Sequence, residues 1–180
     1  PTRPLEADIR RAAEMLLAAE KLGILVGGGG RKGGAPSLVL QLAESLAAPV
    51  ATSLPGKGVI PEDHPLALGC IGLYGTRAAN SYLRSGLDVL LVVGSSLHEF
   101  TTHVWDPALR PSRGLIQVDI DPTEIGKNYP VDIGLLGDAG IVLTELLDAV
   151  RRLEPRKRKP AEDFPRLKEQ TEYFSEPPMS

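Results

Sequence analysis

Asp88-Val89-Leu90-Leu91-Val92-Val93-Gly94 sets five aliphatic side chains in an unbroken row between an acid and a glycine. A strand with one wet face alternates apolar and polar residues. A strand covered on both faces does not, and parallel sheets flanked by helices produce such strands. The same uninterrupted pattern recurs upstream in Gly23-Ile24-Leu25-Val26 and downstream in Leu115-Ile116-Gln117-Val118-Asp119 and Ile133 to Leu136. Pro49-Val50-Ala51-Thr52 adds a strand that opens on proline, where a missing donor is tolerated. A sixth strand is expected near 67–71.

Between these strands the period changes to that of a helix. Over 5–20, Leu5, Ile9, Ala12, Ala13, Leu16 and Leu17 fall on one face. Residues 36–47 repeat the pattern with Pro36 in the first turn. Thr76 is placed to cap a helix running to Arg84, and Asp138 one running to about Arg152. Short covered strands alternating with helices predict an α/β fold, a doubly wound parallel sheet of five to six strands of Rossmann-like type. Two long connections, 53–75 and 95–113, stand out as candidate functional loops.

Composition narrows the function classes. The chain has 180 residues, 42% of them hydrophobic, and a formal net charge of −3. No apolar run approaches the ~18 residues of a membrane span. The charge balance argues against nucleic acid as a partner, and 4% aromatic residues are too few for a stacking surface along a strand of bases. The single cysteine, Cys70, allows no internal disulfide and no cysteine-based zinc site, which points to the cytoplasm. The expected domain is 1–153. Residues 154–180 change character, with five prolines and the basic run Arg156-Lys157-Arg158-Lys159, and read as a linker or tail. The basic run suits the negative end of the preceding helix. Glu176-Pro177-Pro178-Met179-Ser180 reads as a stop in mid-linker, so a piece of a longer chain is expected.

In a doubly wound sheet, ligands sit beyond the carboxyl ends of the strands. The segments emerging there are Gly27–Gly34, Ser53–Gly58, Gly94–Thr101, Asp119–Gly126 and Gly137–Ala139. Gly28, Gly30 and Gly33 match the spacing of a dinucleotide loop, where bare backbone can approach a phosphate. The same glycines could serve only a tight turn and close packing. The second strand ends without the acid that a nicotinamide dehydrogenase needs, as Thr52-Ser53-Leu54-Pro55 shows. Gly56-Lys57-Gly58 is followed by Val59, so no Walker A loop forms. Asp119 could take a ribose or cap a local turn, and Asp121 reads as a turn cap. His64, His98 and His103 form no metal-ligand spacing. Gly94-Ser95-Ser96 lacks the glycine of a nucleophile elbow. Tyr74 and Trp105 could stack on a flat ring or fill the core of their own loops.

Several segments occur together in order. They are Ile24 to Gly29, Pro49 to Ser53 with Gly56-Lys57-Gly58, Ile60-Pro61-Glu62-Asp63-His64-Pro65, Leu68-Gly69, Gly72-Leu73-Tyr74-Gly75, and Ala79-Asn80. Asp88 to Gly94, Val118 to Asn128 and Gly137-Asp138-Ala139 follow. From about residue 8 to 150 the chain resembles the central domain of thiamine-diphosphate-dependent enzymes of the acetolactate synthase group. The resemblance implies a six-stranded parallel sheet lying between a pyrimidine-binding and a diphosphate-binding domain. It implies that the activating glutamate belongs to the first of those domains and the magnesium–diphosphate motif to the third. This chain has Gly137-Asp138-Ala139 in place of the Gly-Asp-Gly that opens that motif, so no catalytic residue and no metal ligand is expected in it. The parent would act on pyruvate or another 2-oxo acid, with thiamine diphosphate and magnesium held outside this chain. Its partners would be the flanking domains and further copies of itself.

Some members of that group bind FAD in the central domain, some ADP and some nothing. The resemblance places Gly28, Gly29 and Gly30 at the ribityl or phosphate region. It places Gly56, Lys57, Gly72, Leu73, Tyr74 and Gly75 at the flavin side, Asp119 at the ribose, and Asp138 and Ala139 at the adenine. Gly94, Ser95 and Ser96 would face the diphosphate. Flavin-binding synthases carry an arginine where this chain has Ser96. Loss of that charge-assisted contact, worth ~1.5–3 kcal/mol, weakens a bound nucleotide tenfold or more. The alternatives are a self-contained nucleotide-binding or interaction module and a sirtuin-type deacylase, which one cysteine disfavours.

Overall fold

The computed structural model describes residues 3–154. Six strands form one sheet: β1 (Leu22–Val26), β2 (Val50–Thr52), β3 (Ala67–Cys70), β4 (Val89–Val93), β5 (Gly114–Asp119) and β6 (Ile133–Leu136). Every pairing is parallel and the order is β3-β2-β1-β4-β5-β6. Both β1 and β4 are buried along their full length, as their lack of alternation requires. The expected sixth strand is β3, an edge strand of small residues whose pairing with β2 shifts register between Val50 and Ala51.

The helices are α1 (Glu6–Ala18), α2 (Ala35–Leu46), α3 (Arg77–Leu83), the single turn α4 (Glu99–Thr102) and α5 (Ala139–Leu153). Glycines in the strands show which helix covers which face. Gly114 is in register with Val89 and Leu22, and a Cβ on it would meet Met15 of α1 at 2.4 Å. Gly23, one residue along and so on the other face, would meet Leu83 of α3 at 2.8 Å. The α1 and α5 helices pack on each other, α2 packs on α5, and α3 lies across the sheet from them. Two caps form as their residue types dictate. Thr76 Oγ1 accepts the Ala79 N–H at 3.1 Å, and Asp138 Oδ1 accepts those of Gly140 and Ile141 at 2.9 and 3.3 Å.

The chain runs outward from β1 to β3, crosses back, and runs outward again from β4 to β6. The direction reverses between β1 and β4, the switch point near whose carboxyl ends doubly wound sheets bind ligands. The basic run and the rest of the expected tail beyond Glu154 lie outside the described residues. Among those residues, no helix is long and apolar enough to cross a membrane.

Candidate ligand-binding cleft

Glycines close the bottom of the crevice. Gly27 N–H donates to the Val93 carbonyl at 2.8 Å, Gly29 N–H to the Gly94 carbonyl at 3.0 Å, and Gly94 N–H to the Val118 carbonyl at 2.8 Å. A Cβ on Gly27 would lie 2.2 Å from the Gly94 oxygen, and one on Gly56 2.2 Å from the Val26 oxygen. The loops after β1, β2 and β4 therefore touch backbone to backbone, and glycine is the residue that lets them.

Beside these glycine contacts lies a cleft of about 510 Å³, within the ~300–1,000 Å³ typical of small-molecule sites. Leu54 and Pro55 wall it from the loop after β2, and Cys70, Ile71 and Tyr74 from the end of β3. Ser96, His98, Phe100 and Thr101 complete it from the segment after β4. His98 and Phe100 stack with ring centroids 5.5 Å apart. Tyr74, 83% exposed, stands at the rim.

Hydrogen bonds hold the two loops over the cleft together. Gly72 N–H donates to Asn80 Oδ1 and Asn80 Nδ2 returns a bond to the Gly72 carbonyl, both at 3.0 Å. His103 Nε2 donates to the same Asn80 oxygen at 2.8 Å, and Leu73 N–H to the Phe100 carbonyl at 3.1 Å. Asp106 anchors the far end of this segment to α3 through Arg84. The Ala108 N–H, and then that guanidinium, hold the Asp106 carboxyl below the usual carboxylate range. Burial pushes the Tyr129 phenol up, while its hydroxyl donates to the Asp106 carbonyl at 3.0 Å. Behind Ser95 and Ser96, buried Gln117 donates to the Ser95 and Glu124 carbonyls and accepts Gly126 N–H. Asn128 Nδ2 donates to the Ser96 carbonyl at 2.7 Å.

Of the residues expected at a site, Tyr74 and Ser96 line the cleft together. Gly28 stands beside it, its Cβ position 3.2 Å from Pro55. Gly72, Leu73 and Gly75 form the loop that carries Tyr74, and Gly56 and Lys57 follow Pro55. Gly29, Gly30, Gly94 and Ser95 belong to the floor or its flank. Asp119, Asp138 and Ala139 lie at the ends of β5 and β6, outside the lining. Asp119 Oδ1 accepts Asp121 N–H, and Asp121 Oδ1 accepts the hydroxyl and amide of Thr123. Those Thr123 bonds hold the Asp121 carboxyl below its usual range. Cys70 and Ile71 were not singled out as site residues from sequence, and Phe100 and Thr101 fell only within the Gly94–Thr101 segment. Their signal was weak: ordinary residues that matter because a strand end or a turn puts them beside a crevice. Trp105 does not fill the core of its loop and is 43% exposed.

The family described as "Thiamine pyrophosphate enzyme, central domain" matches residues 9–146. A chain named as an acetolactate synthase large subunit in Methanocaldococcus jannaschii is 44% identical over 154 residues, 84% of this chain and 25% of that one. The acetolactate synthase isozyme 3 large subunit of Escherichia coli is 36% identical over 143 residues, 79% of this chain and 25% of its own. A solved structure from Mycobacterium smegmatis, described as a thiamin diphosphate-dependent enzyme, aligns with a TM-score of 0.72 at 28% identity. That alignment covers 92% of this chain and 31% of the other. The chain thus spans about a quarter of the length of the curated relatives it matches.

Proposed function

Because this chain belongs to the central-domain family of thiamine pyrophosphate enzymes, we propose that it is the middle unit of an acetolactate synthase-like enzyme acting on pyruvate or another 2-oxo acid. Its own work is to join two flanking catalytic domains and to offer the cleft to FAD or ADP. The observation that supports this reading is the cleft's position, among the segments that follow β2, β3 and β4 at the carboxyl ends of the strands.

Thiamine diphosphate, when bound, would supply the carbon nucleophile for cleaving or joining bonds next to a carbonyl. Among the described residues no group of three or more His, Cys, Asp or Glu is placed to hold a metal ion. These residues therefore do not fit a magnesium–diphosphate pair, and that chemistry falls to the flanking domains. The chain contributes geometry: the Asn80–Gly72–His103 bonds fix the loop that carries Tyr74, and the glycine floor fixes the loops around it. The unit is assigned residues 1–153, with 154–180 as a connector, in a cytoplasmic homo-oligomer.

The test is carbon dioxide release from a panel of 2-oxo acids, with and without thiamine diphosphate and magnesium. Chain 1–180 alone should give none, and the polypeptide carrying both flanking domains should give cofactor-dependent release. Release by chain 1–180 itself, or none from the longer polypeptide with any 2-oxo acid, overturns the reading.

A further inference from the structure

The segment that follows β4 holds its backbone in a conformation its residues disfavour. Leu97 has φ +52°, and His103, Val104 and Trp105 follow one another at +51°, +60° and +57°. Left-handed backbone costs an L-residue about 5- to 30-fold in population at each position. A leucine, a β-branched valine and a tryptophan are not residue types that visit this region readily. Strain of this kind persists only where the surroundings impose it, and it gathers at clamps and switches. We infer that residues 97–106 form a strained strap, held shut by two side chains of α3 and released when His103, Val104 and Trp105 relax to right-handed backbone. Only the use of that opening as an entrance rests on the proposed reading of the cleft as a ligand site.

The clasps are visible in the contacts. Asn80 lies on α3 and Arg84 one turn on, at its carboxyl end. Asn80 Oδ1 accepts the Nε2 proton of His103 at 2.8 Å, and Arg84 pairs with Asp106. The two clasps bracket the left-handed run, so it cannot turn over while both are closed. Inside the run, Val104 N–H donates to the Glu99 carbonyl at 2.8 Å and Trp105 N–H to Thr102 Oγ1 at 3.0 Å. The side chains contribute little hold of their own, since Val104 is 65% exposed and Trp105 43%.

The released form has a ready backbone. Glu99-Phe100-Thr101-Thr102 is one helical turn, and no glycine or proline requires it to stop at His103. With 103–105 right-handed, the turn continues to Trp105 and ends before Asp106, the residue that precedes Pro107. Ser96, His98, Phe100 and Thr101 line the cleft and lie on or beside the strap, so its opening shifts one wall of the cleft.

Hydrogen exchange of chain 1–180, followed by mass spectrometry at low protein concentration, reads this opening with no ligand present. Segment 98–106 should exchange about 100-fold or more faster than segment 89–93, the β4 strand before it. His103→Ala removes one clasp and should speed exchange of 98–106 about 3- to 10-fold, leaving 89–93 unchanged. Val104→Gly lifts the penalty at an exposed position and should slow 98–106 about threefold or more. Val104→Thr keeps the branched Cβ and should stay within about twofold of the unmodified chain. Exchange of 98–106 as slow as that of 89–93 overturns the inference, since the strap would then open only with the whole fold. Unchanged or faster exchange in Val104→Gly overturns it too, since no strain would be stored in the run. So does unchanged exchange in His103→Ala, since Asn80 would then be no clasp. Should His103→Ala speed 89–93 as well, the Val104→Gly result decides alone. None of these failures touches the proposed ligand site, which the measurement does not use.

Discussion

Gly94 answers two demands at once. Its φ is +59°, and a Cβ on it would lie 2.6 Å from the Gly29 Cα. Gly126 answers only the first, with φ +77° and nothing within 4 Å. Gly126→Ala should therefore cost ~1–2 kcal/mol for the left-handed conformation alone. Gly94→Ala should cost ~2–5 kcal/mol because overpacking of two loops adds to it. Urea unfolding of the two variants separates strain from close approach, and equal losses would refute that division. The glycine run after β1 was visible in sequence as a place where backbone comes close to something. That the something is Gly94, far along the chain, was not, since only strand order brings the two together. Asp106 gives a pH signature. Its carboxyl sits below the usual range, first through the Ala108 amide and then through Arg84. A lowered folded value means stability that is complete above the ordinary carboxylate range and lost as pH falls through the folded value. Asp106→Asn should lower Tm at neutral pH, and the gap to the unmodified chain should close on acidification below about pH 4.

The elements that could be read in advance are those whose own residues dictate them. The β1 and β4 strands are covered on both faces and show no alternation, while α5 carries its aspartate cap and a clean apolar face. Asp138→Ala should remove both cap bonds and cost about 1 kcal/mol, read as a lower midpoint in urea with an unchanged slope. The β3 strand was harder to read because Ala67-Leu68-Gly69-Cys70 is small and forms an edge, held by one neighbour only. The 95–113 connection was hardest. His103, Val104 and Trp105 all take φ between 51° and 60°, conformations that a β-branched and a bulky residue disfavour. Their arrangement comes from tertiary bonds that no local pattern announces, such as Trp105 N–H to Thr102 Oγ1 at 3.0 Å and Asp106 N–H to the Thr102 carbonyl at 2.9 Å. The same reason hid Phe100 and Thr101 from the list of site candidates. Their turn is short, and what makes it a wall is the Gly72 loop docked on its carbonyl.

Across the whole molecule, apolar side chains are unevenly placed. Leu54, Leu73, Tyr74, Phe100 and Val104 are all exposed and belong to the loops that border the cleft. Exposed apolar side chains gathered in this way favour contact with another surface. Light scattering of chain 1–180 should show mass rising with concentration, and Tyr74→Asp should suppress the rise. A constant monomer mass across the range would count against it. A different consequence lies in the position of α1, the first helix, which packs against the last strand and the last helix, β6 and α5. Thirteen residues of helix are marginal in water without a partner. During synthesis α1 leaves the ribosome well ahead of residues 133–153, the helix and strand it packs on. The nascent chain must carry that face without those partners while every residue between them is translated, a window in which a chaperone rather than the fold itself would have to shield it.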